Sequence, residues 1–195
     1  MTEPTVFLLG GASGVGKSQI ASDVAARFGA SVVAVDDFHV VLERMTSPEQ
    51  YPELHRWRLH PEEVLALDDP GMLAHTRAYA EVMAEALEAV IGNHLESGPP
   101  IVLEGDFILP TLATQGTYDG VTADGRVRAV FMIEEDEDQL AHNFLLREGE
   151  QQSRRARASW CYSEWLRREC ERLGVPAIPS RPWATTLERA LAALR

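Results

Sequence analysis

The amino-acid sequence predicts an α/β fold, and three observations carry that prediction. Short apolar runs recur at residues 6–9, 31–35, 101–103, 127–133 and 175–178, each about the length of a buried strand. Between most of them lie longer stretches whose apolar residues repeat at helical spacing, so strands and helices alternate. The first run opens into Gly11-Ala12-Ser13-Gly14-Val15-Gly16-Lys17-Ser18, which fits G-x-x-x-x-G-K-[ST], a phosphate-binding loop between a strand and a helix.

Composition bounds the reading. At 195 residues and 45% hydrophobic, the chain can build one core and reads as one domain, residues 1–195. A formal charge of −12 argues against nucleic acid as a partner, because phosphate-backbone contacts need a basic surface. No apolar run approaches the roughly 18 residues of a membrane span and no secretory signal opens the chain, so a soluble, cytoplasmic protein without a membrane partner is expected. Cys161 and Cys170 are too few for a disulfide framework or a zinc site and are expected to be reduced. Oligomeric state is not legible.

The phosphate loop is the first element with a mechanical job. Its glycines let backbone N–H groups converge on phosphate oxygens, and the helix that follows, with Ile20, Val24 and Phe28 on one face, adds partial positive charge at its N-terminus. Lys17 is placed to reach the β- and γ-phosphates and Ser18 to bind Mg²⁺. Of 18 lysines and arginines only Lys17 is a lysine, the compact ammonium that fits among phosphates. A nucleoside triphosphate is therefore expected across residues 11–18.

The run 31–35 reads as a second buried strand ending in Asp36-Asp37-Phe38-His39. Ligands of α/β sheets sit beyond the carboxyl ends of the strands, so Asp36 and Asp37 are candidates for Mg²⁺ binding and proton abstraction, with one of them free to cap a helix. Residues 40–70 are irregular and rich in His, Arg and Trp. They either cover an anionic acceptor, with Arg56, Arg58 and the histidines, or form a solvated surface with Trp57 packed into the core. Residues 72–95 predict a long amphipathic helix, broken by Gly98-Pro99-Pro100.

The third strand, 101–103, closes on Glu104-Gly105-Asp106, the position of a Walker B acid. Glu104 is a candidate for Mg²⁺, and Glu104 with Asp106 for orienting an acceptor hydroxyl. Residues 115–126 read as a polar, glycine-rich surface loop. A fourth strand, 127–133, leads into the acids 134–138. These favour the positive end of the next helix; consecutive carboxylates on a helix diverge, which argues against a metal site there.

Four arginines (Arg147, Arg154, Arg155 and Arg157) fall within eleven residues of an acidic chain and predict a lid over the phosphates at 147–157. A helix seam of Tyr162, Leu166, Cys170 and Leu173 ends at Gly174 as C-cap. After a fifth strand at 175–178, Arg181 and Trp183 are placed near the nucleotide base. Thr185 and Glu188 spell a capping box before a last helix carrying Leu187, Ala190, Leu191 and Leu194.

Taken together, the chain resembles the small-molecule P-loop kinases of the nucleoside-monophosphate-kinase-like group. Residues 11–18 carry the strongest match. Asp36-Asp37-Phe38 is similar to the acidic segment of uridine kinases that serves the acceptor hydroxyl. Leu103-Glu104-Gly105 with Leu109-Pro110 is similar to the third-strand segment of 2-phosphoglycerate kinases, and the arginines of 147–157 resemble the lid of the group. The resemblance implies a three-layer P-loop NTPase fold, with a five-stranded parallel sheet in order 2-3-1-4-5 and helices on both faces. It also implies ATP- and Mg²⁺-dependent phosphoryl transfer to a hydroxyl of a small metabolite.

On that reading the catalytic set is Lys17, Asp36, Asp37, Arg147 and Arg154. Arg155 and Arg181 join residues 11–18 on the nucleotide, Ser18, Asp36 and Glu104 serve Mg²⁺, and Asp37, His39, Arg56, Glu104 and Asp106 face the acceptor. A nucleotide-binding switch or ATPase acting through a protein partner is the alternative from another class. A drug or nucleotide-sugar kinase of resistance or toxin type is a third reading.

Overall fold

A computed structural model describes residues 3–195. Its centre is a parallel sheet in which β1 (Val6–Gly11) lies between β3 (Ile101–Gly105) and β6 (Val127–Ile133). The edges are β2 (Ser31–Ala34) and β7 (Ala177–Pro179). The order β2-β3-β1-β6-β7 becomes 2-3-1-4-5 once the two strands of a separate hairpin are set aside. Every residue of β1 is buried, as a central parallel strand covered on both faces requires, and this is why 6–9 is apolar without alternation.

The helix α1 (Lys17–Phe28) and the C-terminal α8 (Thr186–Ala193) pack together on one face of the sheet. On the other lie α5 (Asp69–Glu96) and α7 (Ser153–Leu173), the latter in a hairpin with α6 (Glu137–Glu148). Phe28 of α1 stacks on Phe7 of β1 with ring centroids 4.2 Å apart. The seam of α5 buries Tyr79, Met83, Leu87, Ile91 and Leu95, as its spacing predicts.

Several expectations need correction. The second strand is not buried: it is a sheet edge with Ser31 and Val32 exposed, and it stops at Ala34. Asp36 and Asp37 therefore lie in the first turn of a helix, α2 (Val35–Met45), where acids are favoured by the helix dipole. The irregular segment 40–70 is mostly helical, continuing α2 and adding α3 (Pro52–Leu59) and α4 (Pro61–Leu65), the last two with proline in the first turn. Trp57 is 48% exposed, so it is not a core residue.

The loop 115–126 holds a hairpin, β4 (Thr117–Tyr118) and β5 (Val121–Thr122), turning at Asp119-Gly120 with positive φ at both. Tyr118 is fully buried and its hydroxyl donates to the Leu112 carbonyl. Gly92 of α5 admits this hairpin, since a Cβ there would lie 2.8 Å from the Tyr118 carbonyl oxygen. The fifth strand is shorter and later than predicted. The capping box does not form, because Thr185 closes a short 3-10 turn (Trp183–Thr185) and its hydroxyl donates to the Pro182 carbonyl instead.

Candidate active site

The phosphate loop bridges the carboxyl end of β1 and the start of α1. Gly14 and Gly16 have φ of 82° and 96°, a region that excludes most side chains. A Cβ on Gly16 would lie 2.6 Å from the Trp183 ring, and one on Gly14 would lie 3.0 Å from the ring of Phe144. The loop is thus seated between two aromatic side chains that only glycine can approach. Gly16 gives α1 no side-chain cap and its first turn holds no acid, which leaves its N–H groups for an anion.

Side chains of the α6–α7 hairpin hold the loop carbonyls. Ser159 Oγ donates to the Ser13 carbonyl at 2.5 Å and Asn143 Nδ2 to that of Gly14 at 2.9 Å.

Lys17, 5% exposed, donates to the Ala12 carbonyl at 2.8 Å and to Asp106 Oδ1 at 2.6 Å. Ser18 Oγ lies 3.0 Å and 3.2 Å from the two carboxylate oxygens of Glu104, to which it donates. Both acids come from the carboxyl end of β3, and Asp36 joins them from α2. Burial raises the Glu104 pKa above the usual carboxylate range; Lys17 and the Ser18 hydrogen bond oppose this, while Asp36 and Asp106 reinforce it. Asp36 is raised as well, by desolvation first and then by Asp106, against Lys17 and His39; the residue as a whole is exposed, so water tempers the effect.

These groups line a cleft of about 740 Å³. Its other wall carries Arg147 of α6, Arg155 of α7 and Arg181 after β7. The guanidinium groups of Arg147 and Arg155 lie 5.2 Å and 4.6 Å from the Phe144 ring centroid, and both bond Glu148. Arg181 Nη2 donates to Asn143 Oδ1 at 3.2 Å.

The cleft brings together residues 13–18, Asp36, Glu104, Asp106, Arg147, Arg155 and Arg181, with Gly11 and Ala12 behind the loop. Four expected residues lie outside it. Both aspartates are exposed, but only Asp36 lines the cleft: successive helical side chains diverge by about 100°, so Asp37 points away. Arg154 is turned away from Arg155 for the same reason: its Nη2 donates to the Leu67 carbonyl at 2.6 Å, in a separate groove beside Asp68 and Asp69. His39 packs against Tyr79 and Phe107 with Nε2 3.9 Å from Glu43, and Arg56 is half-buried on α3. Residues 54–60 line neither the cleft nor that groove.

Asn143 and Ser159 were not anticipated. Asn143 precedes Arg147 by one helical turn, a spacing that puts both on one face and offered a signal. Ser159 offered none.

No protein-family model matches the chain. It is similar in sequence to proteins named 2-phosphoglycerate kinase. Identity is 35% over 112 residues with that of Methanocaldococcus jannaschii, covering 56% of this chain and 36% of the relative. Identity is 28% over 205 residues with that of Methanothermobacter thermautotrophicus, covering 98% and 66%. The chain thus spans about a third of the first relative's length and about two thirds of the second's. Among solved structures, a sugar kinase from Janibacter sp. HTCC2649 superposes with a TM-score of 0.57 at 19% identity, covering 98% of this chain and 94% of that one. A Thermus thermophilus protein superposes with a TM-score of 0.57 at 15% identity, covering 98% and 96%. In fold the chain matches the small-molecule P-loop kinases, and in sequence it is similar to proteins named 2-phosphoglycerate kinase.

Proposed function

We propose that this protein transfers the γ-phosphoryl group of ATP to a hydroxyl of a small metabolite, in the presence of Mg²⁺. The observation that carries the reading is the meeting, in one open cleft, of Lys17 and Ser18 with Glu104 and Asp106. Lys17 and the loop N–H groups hold the β- and γ-phosphates, and Arg147, Arg155 and Arg181 stabilise charge on the migrating group from the opposite wall. The acceptor oxygen forms a bond to the γ-phosphorus while the bond to the bridging oxygen breaks, its electron pair leaving with ADP. Asp36, the one of the two consecutive aspartates that faces the cleft, takes the hydroxyl proton.

The donor set fits Mg²⁺: the Ser18 hydroxyl with the Glu104 carboxylate, hard oxygens 3.0 Å and 3.2 Å apart, which leaves Asp36 to act as the base. Among the described residues no three His, Cys, Asp or Glu side chains converge to hold a metal alone, which suits an ion shared with substrate phosphates. Its contribution is to neutralise phosphate charge. Residues 147–157 serve as the lid and residues 40–70 as the cover of the acceptor side. No helix among the described residues is long and apolar enough to cross a membrane. With both cysteines free and ATP as donor, the reaction is assigned to the cytoplasm.

ADP release with MgATP tests the reading, alone and with pools of sugars, sugar acids, nucleosides, phosphoglycerates, nucleotide-sugars and aminoglycosides. Release that depends on one pool and vanishes in Lys17→Ala supports it. The similarity in sequence makes 2-phosphoglycerate one compound to include. A switch acting through a protein partner is the second reading, favoured by residues 54–60 lining neither cavity. Release that is equal with and without every pool supports that one.

A further inference from the structure

Among the described residues, the three arginines of the cleft wall are held in two different ways. Arg147 and Arg155 both bond Glu148, a neighbour in sequence. Arg181 makes one side-chain hydrogen bond, from Nη2 to Asn143 Oδ1 at 3.2 Å, and its Nε lies 3.8 Å from Glu134 Oε2. Of the consecutive acids 134–138, Glu134 alone is buried.

Glu134 directly follows β6, and its carboxylate is fixed where β6 and β7 end side by side. Oε1 accepts from the N–H groups of Glu135 and Asp136 at 3.1 Å and 3.3 Å, and Oε2 from Ser180 Oγ at 2.5 Å. Its own N–H donates to Ser163 Oγ of α7 at 2.9 Å. The turn after β7 is tied down again by the Ser180 N–H, which donates to the Ile133 carbonyl at 2.6 Å, and by Thr186 Oγ1, which donates to the Ser180 carbonyl at 2.7 Å.

These donors do not require a charge. A glutamine side chain has the atoms to accept from both N–H groups and donate to the Ser180 hydroxyl, whereas a buried carboxylate is far harder to desolvate. The charge is accounted for by the guanidinium beside it. Arg181 connects in turn to both ends of the phosphate loop. Asn143, which it bonds, donates to the Gly14 carbonyl at 2.9 Å. Its guanidinium also lies 5.9 Å from the centroid of the Trp183 ring, which abuts Gly16.

We infer that Glu134 is a positioning residue of the nucleotide site, whose buried carboxylate holds Arg181 against the phosphate loop and so sets the affinity for ATP. Glu134 is not itself part of the cleft lining and acts through Arg181, which is. The inference rests on the reading above in taking ATP as the ligand.

Calorimetric titration of the whole chain with MgATP tests it, beside thermal unfolding and coupled ADP release. Glu134→Gln removes the charge and should raise the Kd of ATP about 5- to 10-fold. Glu134→Asp keeps the charge and should recover at least half of the lost affinity. In an Arg181→Ala background, Glu134→Gln should weaken ATP by less than about 2-fold further, because the two residues act as one unit. Ser180→Ala loses a bond of the same turn and keeps the charge, so it should lower the melting temperature and leave the Kd within about 2-fold of the parent. Glu134→Gln that binds ATP like the parent, or weakens it as much again without Arg181, overturns the inference and leaves phosphotransfer standing. Ser180→Ala that weakens ATP by 5-fold or more, roughly the loss expected of Glu134→Gln, overturns it too, since the turn and not the charge is then what matters. ATP binding that follows these expectations, with ADP release that no acceptor stimulates, supports the inference and overturns phosphotransfer. A parent that binds no MgATP overturns both.

Discussion

Replacing Lys17 with methionine separates what this residue does for the fold from what it does for the reaction. The ammonium is held by the Ala12 carbonyl at 2.8 Å and by Asp106 Oδ1 at 2.6 Å, and only 5% of the side chain is exposed. Removing one partner of a fully buried ion pair costs 3–5 kcal/mol, roughly, because the other charge is stranded. Asp106 keeps 28% exposure, so water solvates part of that charge and the expected cost falls to about 2 kcal/mol. In a chain of this size that lowers the melting temperature by about 4–8 °C. Adding Asp106→Asn removes the stranded charge and should restore at least half of the loss. Turnover should not follow: Lys17→Met and the double variant should both lose roughly 10²–10³-fold in kcat, the scale seen when a single transition-state charge donor is removed. Thermal unfolding followed by circular dichroism, beside coupled ADP release, measures both quantities. A single variant that melts like the parent, or a double variant no more stable than the single, would refute the energetic argument. Recovered turnover in the double variant would refute the catalytic one.

Further outcomes follow from the same geometry. Gly16→Ala combines a left-handed φ of 96° with a Cβ 2.6 Å from Trp183; it should cost about 1–2 kcal/mol from the backbone alone and weaken ATP binding measured by calorimetry. Asn143→Ala frees the Gly14 carbonyl and the Arg181 guanidinium, and should raise the KM of ATP about 10-fold with little change in kcat. The pKa values of Asp36 and Glu104 are raised by folding, so the native protein binds these protons more tightly than the unfolded chain. Their contribution to the stability of the nucleotide-free protein is present in full below the ordinary carboxylate range and is lost as pH rises through the raised values; the difference in melting temperature between the parent and Glu104→Gln, followed across that window, should show the Glu104 share of that loss. Turnover runs the other way, because Asp36 must be ionised to accept a proton: kcat/KM should drop as pH falls through its raised pKa, at a pH above that of an ordinary aspartate.

The parts of the fold that proved legible were those specified locally. Residues 11–18 carry their own geometry, and the 28-residue helix α5 repeats its apolar face often enough to be read without a partner. What failed was phase. Asp36 and Asp37, like Arg154 and Arg155, are adjacent residues of a kind that suits the site, and which one enters the cleft depends on where the helix begins and how it is rotated. The sequence pattern carried the strand one residue too far, to Val35, and so gave no basis for choosing. The hairpin at 117–122 was available in principle, since Asp119-Gly120 is a tight-turn dipeptide, but two-residue strands are too short to show alternation. Ser159 and Asn143 act on carbonyls 146 and 129 residues away, a relation that no local pattern encodes.

The hairpin tip has a practical use. The N–H groups of Thr5 and Val6 at the start of β1 donate to the carbonyl of Arg126, four residues past the hairpin, so the hairpin lies toward the amino end of the sheet while the cleft opens at the carboxyl end. The tip is exposed, yet the tyrosine beneath it is anchored in the interior. A dye, an affinity handle or a surface tether attached there would grip the molecule at the end of the sheet opposite the cleft and leave the cleft free. Binding and turnover could then be followed on single immobilised molecules without the attachment competing for substrate.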